Sequence, residues 1–311
     1  MGENIKILEK FTIDSIPDLD VVTLGALELF AETSVPVVDF KQFNRPLVVG
    51  SVNGAIAGEL IFSDANSVFA DESDYLEKIS VNADIDGAFL LSASGAKHAI
   101  VIARELTERG IDTVLLTNNN EAPAAQYLQK ENVHTFPKNR EPYTYNTSTY
   151  MGMMLSKTHE DPIALISFIQ NQVLPTIPDN LSKYKAFCLI IPPHYNAMSA
   201  MFRTKFDELF GPELVGRSFT TEQMKHAKTV VLSDKECFLA FGEENTMFGL
   251  PENRITIPLP EGHNLATMLA ITYFVIGYIQ KQFPPYFKRD IAKYVEGASN
   301  IFGAKIDVIV E

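Results

Sequence analysis

Short apolar runs alternate with stretches of helical period through the first half of the chain. Runs at 46–50, 67–70, 87–92, 113–117 and 132–136 predict strands. Between them, apolar residues three and four apart predict helices over 54–62, 74–79, 96–109 and 123–129. Alternation of this kind predicts parallel strands joined by crossover helices. A second series follows, with strands expected at 186–191, 213–218, 229–233, 237–241 and 254–257 and helices at 196–210, 220–226 and 265–282. The two series are separated by 148–174, mostly helical in pattern, and by the polar, proline-bearing PTIPDNLSKYK. The pattern therefore predicts an α/β chain in two halves, with a boundary near 150–185 that we place between 158 and 159. The halves share an order of elements but no convincing repeat of residues.

Composition narrows the picture. With 311 residues, 46% hydrophobic and 21% charged, the chain can bury a sizeable core as two domains or one large one. A net charge of −13 argues against nonspecific binding to nucleic acid or an anionic membrane. It leaves an anionic substrate possible, because a local nest of backbone N–H groups overrides global charge. The only cysteines, Cys188 and Cys237, each lie in an apolar run and read as reduced core residues of a cytoplasmic protein. The start MGENIKILEKF has no apolar core of signal-peptide length, and the apolar stretch near 265–279 is too short and too polar to span a bilayer. No metal-ligand spacing is present.

Two strand-to-helix turns carry candidate chemistry. In LLSASGAKHAIVIARELTERG (90–110), Ser92, Ser94 and Gly95 stand where an apolar run hands over to a helix. The first turn of a helix leaves N–H groups without partners and carries partial positive charge; glycine admits a ligand close to the backbone, and serine adds donors. That is the make-up of a phosphate seat. The same residues also suit plain capping by Ser94. The second turn, LVVGSVNGAIAG (47–58), places Gly50, Ser51, Asn53 and Gly54 at a strand end. Val52 occupies the middle glycine position of a dinucleotide fingerprint, and no Walker loop occurs. In open sheets of this kind, ligands sit beyond the carboxyl ends of the strands.

Ser92-Ala93-Ser94-Gly95, followed by Thr117-Asn118, resembles the sugar isomerase (SIS) domain family, whose S-x-S-G-x-T turn holds a sugar phosphate. Lys97 stands where threonine is usual. It loses a hydroxyl and supplies a cation. The family's first turn, G-x-G-x-S, is matched at Gly50 and departs at Val52 and Gly54. EPYTYNTSTY (141–150) resembles the segment E-x-x-V-A-S-T-K that lines the sugar pocket, with Ser148-Thr149 on its S-T, Thr147 before them, and Tyr150 in place of lysine. NAMSAMFRTKFDELFG (196–211) resembles the helix A-L-K-L-K-E, with Lys205 and Glu208 on its first lysine and its glutamate, three apart on one face. From spacing alone that pair reads as an exposed ion pair. TTEQMKHAKT (220–229) resembles K-H-G-P at Lys225 and His226, and KRDIAKYV (288–295) resembles the tail segment R-N-L-A-K at Arg289, Ala292 and Lys293. The acidic run Gly242-Glu243-Glu244-Asn245 after an apolar strand, and His263 at a helix start, read as local features.

The resemblance implies two tandem SIS domains, 1–158 and 159–311, each a three-layer αβα sandwich with a mostly parallel flavodoxin-like sheet. It implies a phosphorylated sugar substrate and aldose–ketose isomerisation, with a proton moved between C1 and C2 and no metal or nucleotide cofactor. Glu208 would be the base, His226 would open the ring, and Lys205 and Lys293 would steady the oxyanion. Ser51, Asn53, Gly54, Ser92, Ser94, Gly95, Lys97, Thr147, Ser148 and Thr149 would hold substrate and phosphate. The family's histidine comes from a neighbouring subunit, so a homodimer with a shared active site is implied. Met1-Gly2 stand where the synthase of this family carries a glutaminase domain with a nucleophilic cysteine, so isomerisation without glutaminase activity is expected. A fructosamine-phosphate deglycase or deaminase, a non-catalytic sugar-phosphate sensor and a plain interaction scaffold are the alternatives.

Overall fold

The computed structural model describes residues 2–303 and 305–311. In chain order its main elements are α1 (Glu3–Lys10), α2 (Leu19–Glu32), β1 (Pro46–Gly50), α3 (Asn53–Ile61), β2 (Val68–Asp71), α4 (Tyr75–Val81), β3 (Gly87–Leu91), α5 (His98–Glu108), β4 (Thr113–Thr117), β5 (Val133–Thr135) and β6 (Glu141–Pro142). Then come α6 (Thr147–Thr158), α7 (Pro162–Phe168), β7 (Ala186–Ile191), α8 (Met198–Phe210), β8 (Val215–Thr220), α9 (Thr221–Met224), β9 (Glu236–Phe241), β10 (Arg254–Ile257), α10 (Leu265–Lys281), α11 (Tyr286–Phe302) and β11 (Ile309–Val310). They form two compact units interleaved along the sequence. The larger comprises the chain up to Ala31, Asn139–Thr147 and Glu160–Glu311; the smaller comprises Glu32–Lys138 and Ser148–His159.

The smaller unit is built on a five-stranded sheet in the order β2-β1-β3-β4-β5, every pair parallel. Strands β1, β3 and β4 are buried at every position, so their sequences read as largely apolar runs, with Thr113 and Thr117 at the ends of β4. On one face Leu47, Val49, Leu90 and Leu115 pack with Ala99, Ile102, Ala103 and Leu106 of α5. On the other, Phe62 and Phe89 meet at 4.4 Å. Gly50 and Gly54 let α3 start against the end of β3, since a side chain at either would strike the Leu91 carbonyl.

The larger unit has a parallel sheet in the order β10-β9-β7-β8. Helix α8 lies on β8, where the Phe206 ring covers the bare backbone of Gly216. Helix α10 is buried almost all round, which accounts for its unbroken apolar sequence; among the described residues no helix is long and apolar enough to cross a membrane. Glu160 receives the first N–H groups of α10, accepting from Asn264 N at 2.9 Å, Ala266 N at 2.8 Å and Thr267 N at 3.1 Å. A short antiparallel pair, β11 with β6, ties Ile309 and Val310 to Pro142 and Glu141.

The main departures from the expected elements have local causes. Residues 229–233 form no strand: Val230, Val231 and Leu232 lie exposed in the connection between α9 and β9. A β-branched run without a neighbouring strand to pair with has no ladder to join. The expected helix at 123–129 is a 3-10 turn, Pro123–Tyr127, and that at 220–226 is a single turn closed by the reciprocal capping of Thr220 and Gln223. The strand expected at 213–218 begins two residues later because Gly211–Glu213 forms a turn at the end of α8.

Candidate functional site

In the smaller unit, the turn between β3 and α5 is locked to the neighbouring loop. The carbonyls of Ala93, Ser94 and Gly95 accept from Asn118 N at 3.0 Å, Asn119 Nδ2 at 3.0 Å and Ala124 N at 2.9 Å. Gly95 has φ +60°, and a side chain there would overlap Ala122. Ser92 Oγ accepts from Gly95 N at 3.1 Å and Ser94 Oγ from Ala96 N at 3.3 Å. Both hydroxyls keep a proton to donate. Ser94 is not the helix cap. Helix α5 starts at His98, its N-cap is Lys97, and no side chain caps it.

Lys97 sits at φ 53°, ψ −120°, and Val52, the N-cap of α3, at φ 48°, ψ −114°. Two non-glycine residues therefore share one sparsely populated conformation at the carboxyl ends of two paired strands. Burial lowers the Lys97 ammonium pKa from its ordinary value. On either side of the Ser92–Gly95 turn stand two buried amides. Asn53 Oδ1 and Asn118 Oδ1 have no hydrogen-bond partner among the described residues, while Asn118 Nδ2 donates to Phe136 O at 3.3 Å and to Pro137 O at 3.4 Å. An unmade bond at a buried acceptor costs about 1–3 kcal/mol, so each oxygen is a ready partner for a ligand O–H or N–H. Sequence reasoning singled out Asn53 and gave Asn118 no role. The signal available was the polar Thr117-Asn118 pair at a strand end.

In the larger unit, α8 carries Lys205 on its apolar face, between Met201 and Phe202 on one side and Phe206 and Leu209 on the other. The pair it forms with Glu208 is not the exposed one that spacing alone suggests. The lysine side chain has no accessible surface, and its Nζ donates to Glu208 Oε2 at 2.6 Å, Thr144 O at 2.9 Å and Tyr145 O at 3.1 Å. All three protons are thus used. Glu208 keeps 23% of its side-chain surface, so one edge reaches solvent. Burial raises its carboxyl pKa, the neighbouring Lys205 ammonium opposes the rise, and Asp207 adds to it. Thr144 and Asn146 hold positive φ of 77° and 47°, so the loop that grips Lys205 is itself strained. Tyr143 follows β6; burial, with smaller contributions from Tyr294 and Glu208, raises its phenol pKa.

The remaining expected residues fall elsewhere. Thr147, Ser148 and Thr149 are buried in the first turn of α6. Thr147 N donates to Glu141 Oε2 at 2.7 Å, and Thr147 Oγ1 has no partner among the described residues. Ser51 is half-buried, and its carbonyl accepts from Gly54 N at 2.9 Å. His226 is exposed in the turn after α9, and Lys293 is exposed on the side of α11 away from its buried Ile291 and Val295. Neither bonds to Lys205 or Glu208 among the described residues. Lys305, exposed before β11, has its Nζ 2.8 Å from Asp307. His263 is tied to its surroundings, with Nδ1 2.7 Å from the Tyr195 hydroxyl.

No protein-family model and no curated protein sequence matches this chain. Among solved structures, glucosamine-6-phosphate deaminase from Thermotoga maritima is similar at 14% identity and a TM-score of 0.55, over 84% of this chain and 92% of that one. The C-terminal domain of glucosamine-fructose-6-phosphate aminotransferase from Francisella tularensis is similar at 10% identity and a TM-score of 0.60, over 88% and 98%. Tagatose-6-phosphate ketose/aldose isomerase from Escherichia coli is similar at 14% identity and a TM-score of 0.56, over 92% and 94%. At these identities the likeness establishes a shared α/β fold.

Proposed function

We propose that this chain is a phosphosugar aldose–ketose isomerase that works by proton transfer through an enediol or enediolamine. The observation that carries the reading is the Lys205–Glu208 pair: a carboxylate with a raised pKa, one edge open to solvent, held by a buried ammonium whose other protons are spent on backbone carbonyls. A base that removes a carbon-bound proton works best with its pKa near the working pH. Burial moves Glu208 in that direction, and Lys205 fixes its position.

In this reading the phosphate sits at the Ser92–Gly95 turn, where both serine hydroxyls have a proton to give and Lys97 adds a cation. Asn53 Oδ1 and Asn118 Oδ1 receive sugar hydroxyls. Anchoring the phosphate converts binding energy into orientation of C1 and C2. Glu208 moves the proton from the position that Lys205 fixes, Lys293 of the C-terminal helix steadies the developing oxyanion, and His226 of a second subunit opens the ring. The enzyme is then a cytoplasmic homodimer. The phosphosugar names carried by the three similar structures support this substrate class.

Deamination or deglycation of an amino-sugar phosphate is the second reading. It is favoured by the likeness to a glucosamine-6-phosphate deaminase. The test is incubation with a panel of hexose, amino-sugar and fructosamine phosphates in D2O. An isomerase exchanges deuterium into C1 or C2, and Glu208→Gln abolishes exchange while phosphosugar binding persists. Release of ammonia or an amine marks the second reading. Binding without exchange by the wild type would make the chain a sensor and overturn the base assignment.

A further inference from the structure

We propose that the larger unit holds a second small-molecule site, over the carboxyl ends of β7 and β9, and that it takes an organic amine. In the order β10-β9-β7-β8, β8 lies on one side of β7 while β9 and β10 lie on the other, so the winding reverses between β7 and β9. Ligands of open parallel sheets sit in the crevice at such a reversal. A cavity of about 160 Å³ occupies that place, between the end of β7, the end of β9 and the loop that follows β9. It holds about five water volumes, the size of one ring with a short side chain.

The chemistry of this crevice is the reverse of that at the Ser92–Gly95 turn. The chain leaves β7 through Pro192 and Pro193, which have no N–H to offer an anion. The charged residues among those lining the cavity are Glu243 and Glu244, both exposed. Phosphate is repelled here and an ammonium group is attracted. The floor is apolar, formed by Ile190, Ala240 and Phe241 among others, so the ligand carries an apolar body behind its charge.

The outer wall is built in advance. Asn245 Oδ1 accepts from Met247 N at 3.2 Å and Phe248 N at 2.8 Å, and its Nδ2 donates to Phe248 O at 2.8 Å. Arg254 donates to Thr246 O at 2.7 Å, Phe248 O at 2.9 Å and Gly249 O at 2.6 Å. One amide and one guanidinium thus hold the 245–249 loop in place, so a ligand meets a wall that needs no ordering on binding.

The experiment uses the full chain labelled with [13C]methyl methionine, the Met247 signal being assigned through Met247→Leu. Phenethylamine, neutral 2-phenylethanol and phenyl phosphate are titrated in turn. The amine is expected to shift the Met247 methyl saturably, with affinity lowered about tenfold or more in Glu243→Gln/Glu244→Gln, consistent with loss of a charge-assisted bond; phenyl phosphate should leave Met247 unmoved. No shift with the amine, an equal shift with phenyl phosphate, or undiminished binding in the double variant would overturn the proposal. None of these readouts depends on phosphosugar turnover, so this site and the isomerase reading stand or fall separately.

Discussion

Lys205 Nζ lies 2.6 Å from Glu208 Oε2, and the lysine is wholly buried while the glutamate is not. The pair is therefore asymmetric: the ammonium depends on the protein for every bond, whereas the carboxylate can turn part of its surface to solvent or to a ligand. Lys205→Met removes the donor shared by Glu208, Thr144 O and Tyr145 O. We expect destabilisation of about 3–5 kcal/mol, the usual cost of breaking a buried pair from one side, read from urea unfolding. Glu208→Gln should cost less, since its amide oxygen still accepts from Lys205.

The pH response of Glu208 has opposite signs in stability and in activity. The folded chain holds this proton more tightly than the unfolded chain does. Between the ordinary glutamate pKa and the raised one, the folded state therefore binds more protons, and stability falls as pH climbs through that window. With Glu208 as the proposed base, exchange at C2 is expected to rise over the same window, because the base must be ionised. The difference between wild type and Glu208→Gln in unfolding free energy, measured from pH 4 upward, should show the falling slope in the wild type alone.

Val52 and Lys97 hold matching strained turns, yet they differ in how replaceable they are. Val52 is β-branched, mostly exposed and at φ 48°, a conformation glycine adopts without penalty. Val52→Gly should raise stability by about 1 kcal/mol, strain relief of about 1–3 kcal/mol outweighing the added chain entropy. Gly95→Ala should do the reverse and weaken phosphate binding, because the new methyl overlaps Ala122 at a positive φ. Thermal unfolding and phosphate titration by calorimetry check both.

Two helical glycines have opposite expectations. A methyl at Gly277 of α10 would overlap the backbone nitrogen of Asp20, so Gly277→Ala must push α10 away from α2, at about 1–3 kcal/mol or more. A methyl at Gly297 of α11 meets nothing within 4 Å. Gly297→Ala should stabilise by about 1 kcal/mol. Paired melting curves decide the matter.

Strands buried on both faces were the most legible elements. The runs PLVVG, TVLLT and AFCLII announce themselves because nearly every position is apolar, Thr113 and Thr117 being the polar ends of one of them. TVVLS at 229–233 carries the same signal and lies exposed, since propensity cannot report whether a neighbouring strand exists. Helix α2 was silent for the opposite reason: eight of its fourteen residues are buried, among them Asp20 and Thr23, so no clean polar face marks its period. The burial of Lys205 was readable in principle, because it falls in line with Met201, Phe202 and Leu209 on α8. Its partners were not, since Thr144 and Tyr145 offer carbonyls, and backbone groups leave no trace in residue type. His226 and Lys293 rested on short sequence matches, and both side chains are exposed.

The pairing of β11 with β6 joins Ile309 to Pro142 and Val310 to Glu141 across more than half the chain. Glu141 in turn receives the first N–H of α6. A contact closing so long a loop forms late, after nearer contacts have shortened the effective path. The segment that grips Lys205 is therefore among the last to settle during refolding, and native-like helix content should return before the lysine finds its carbonyls.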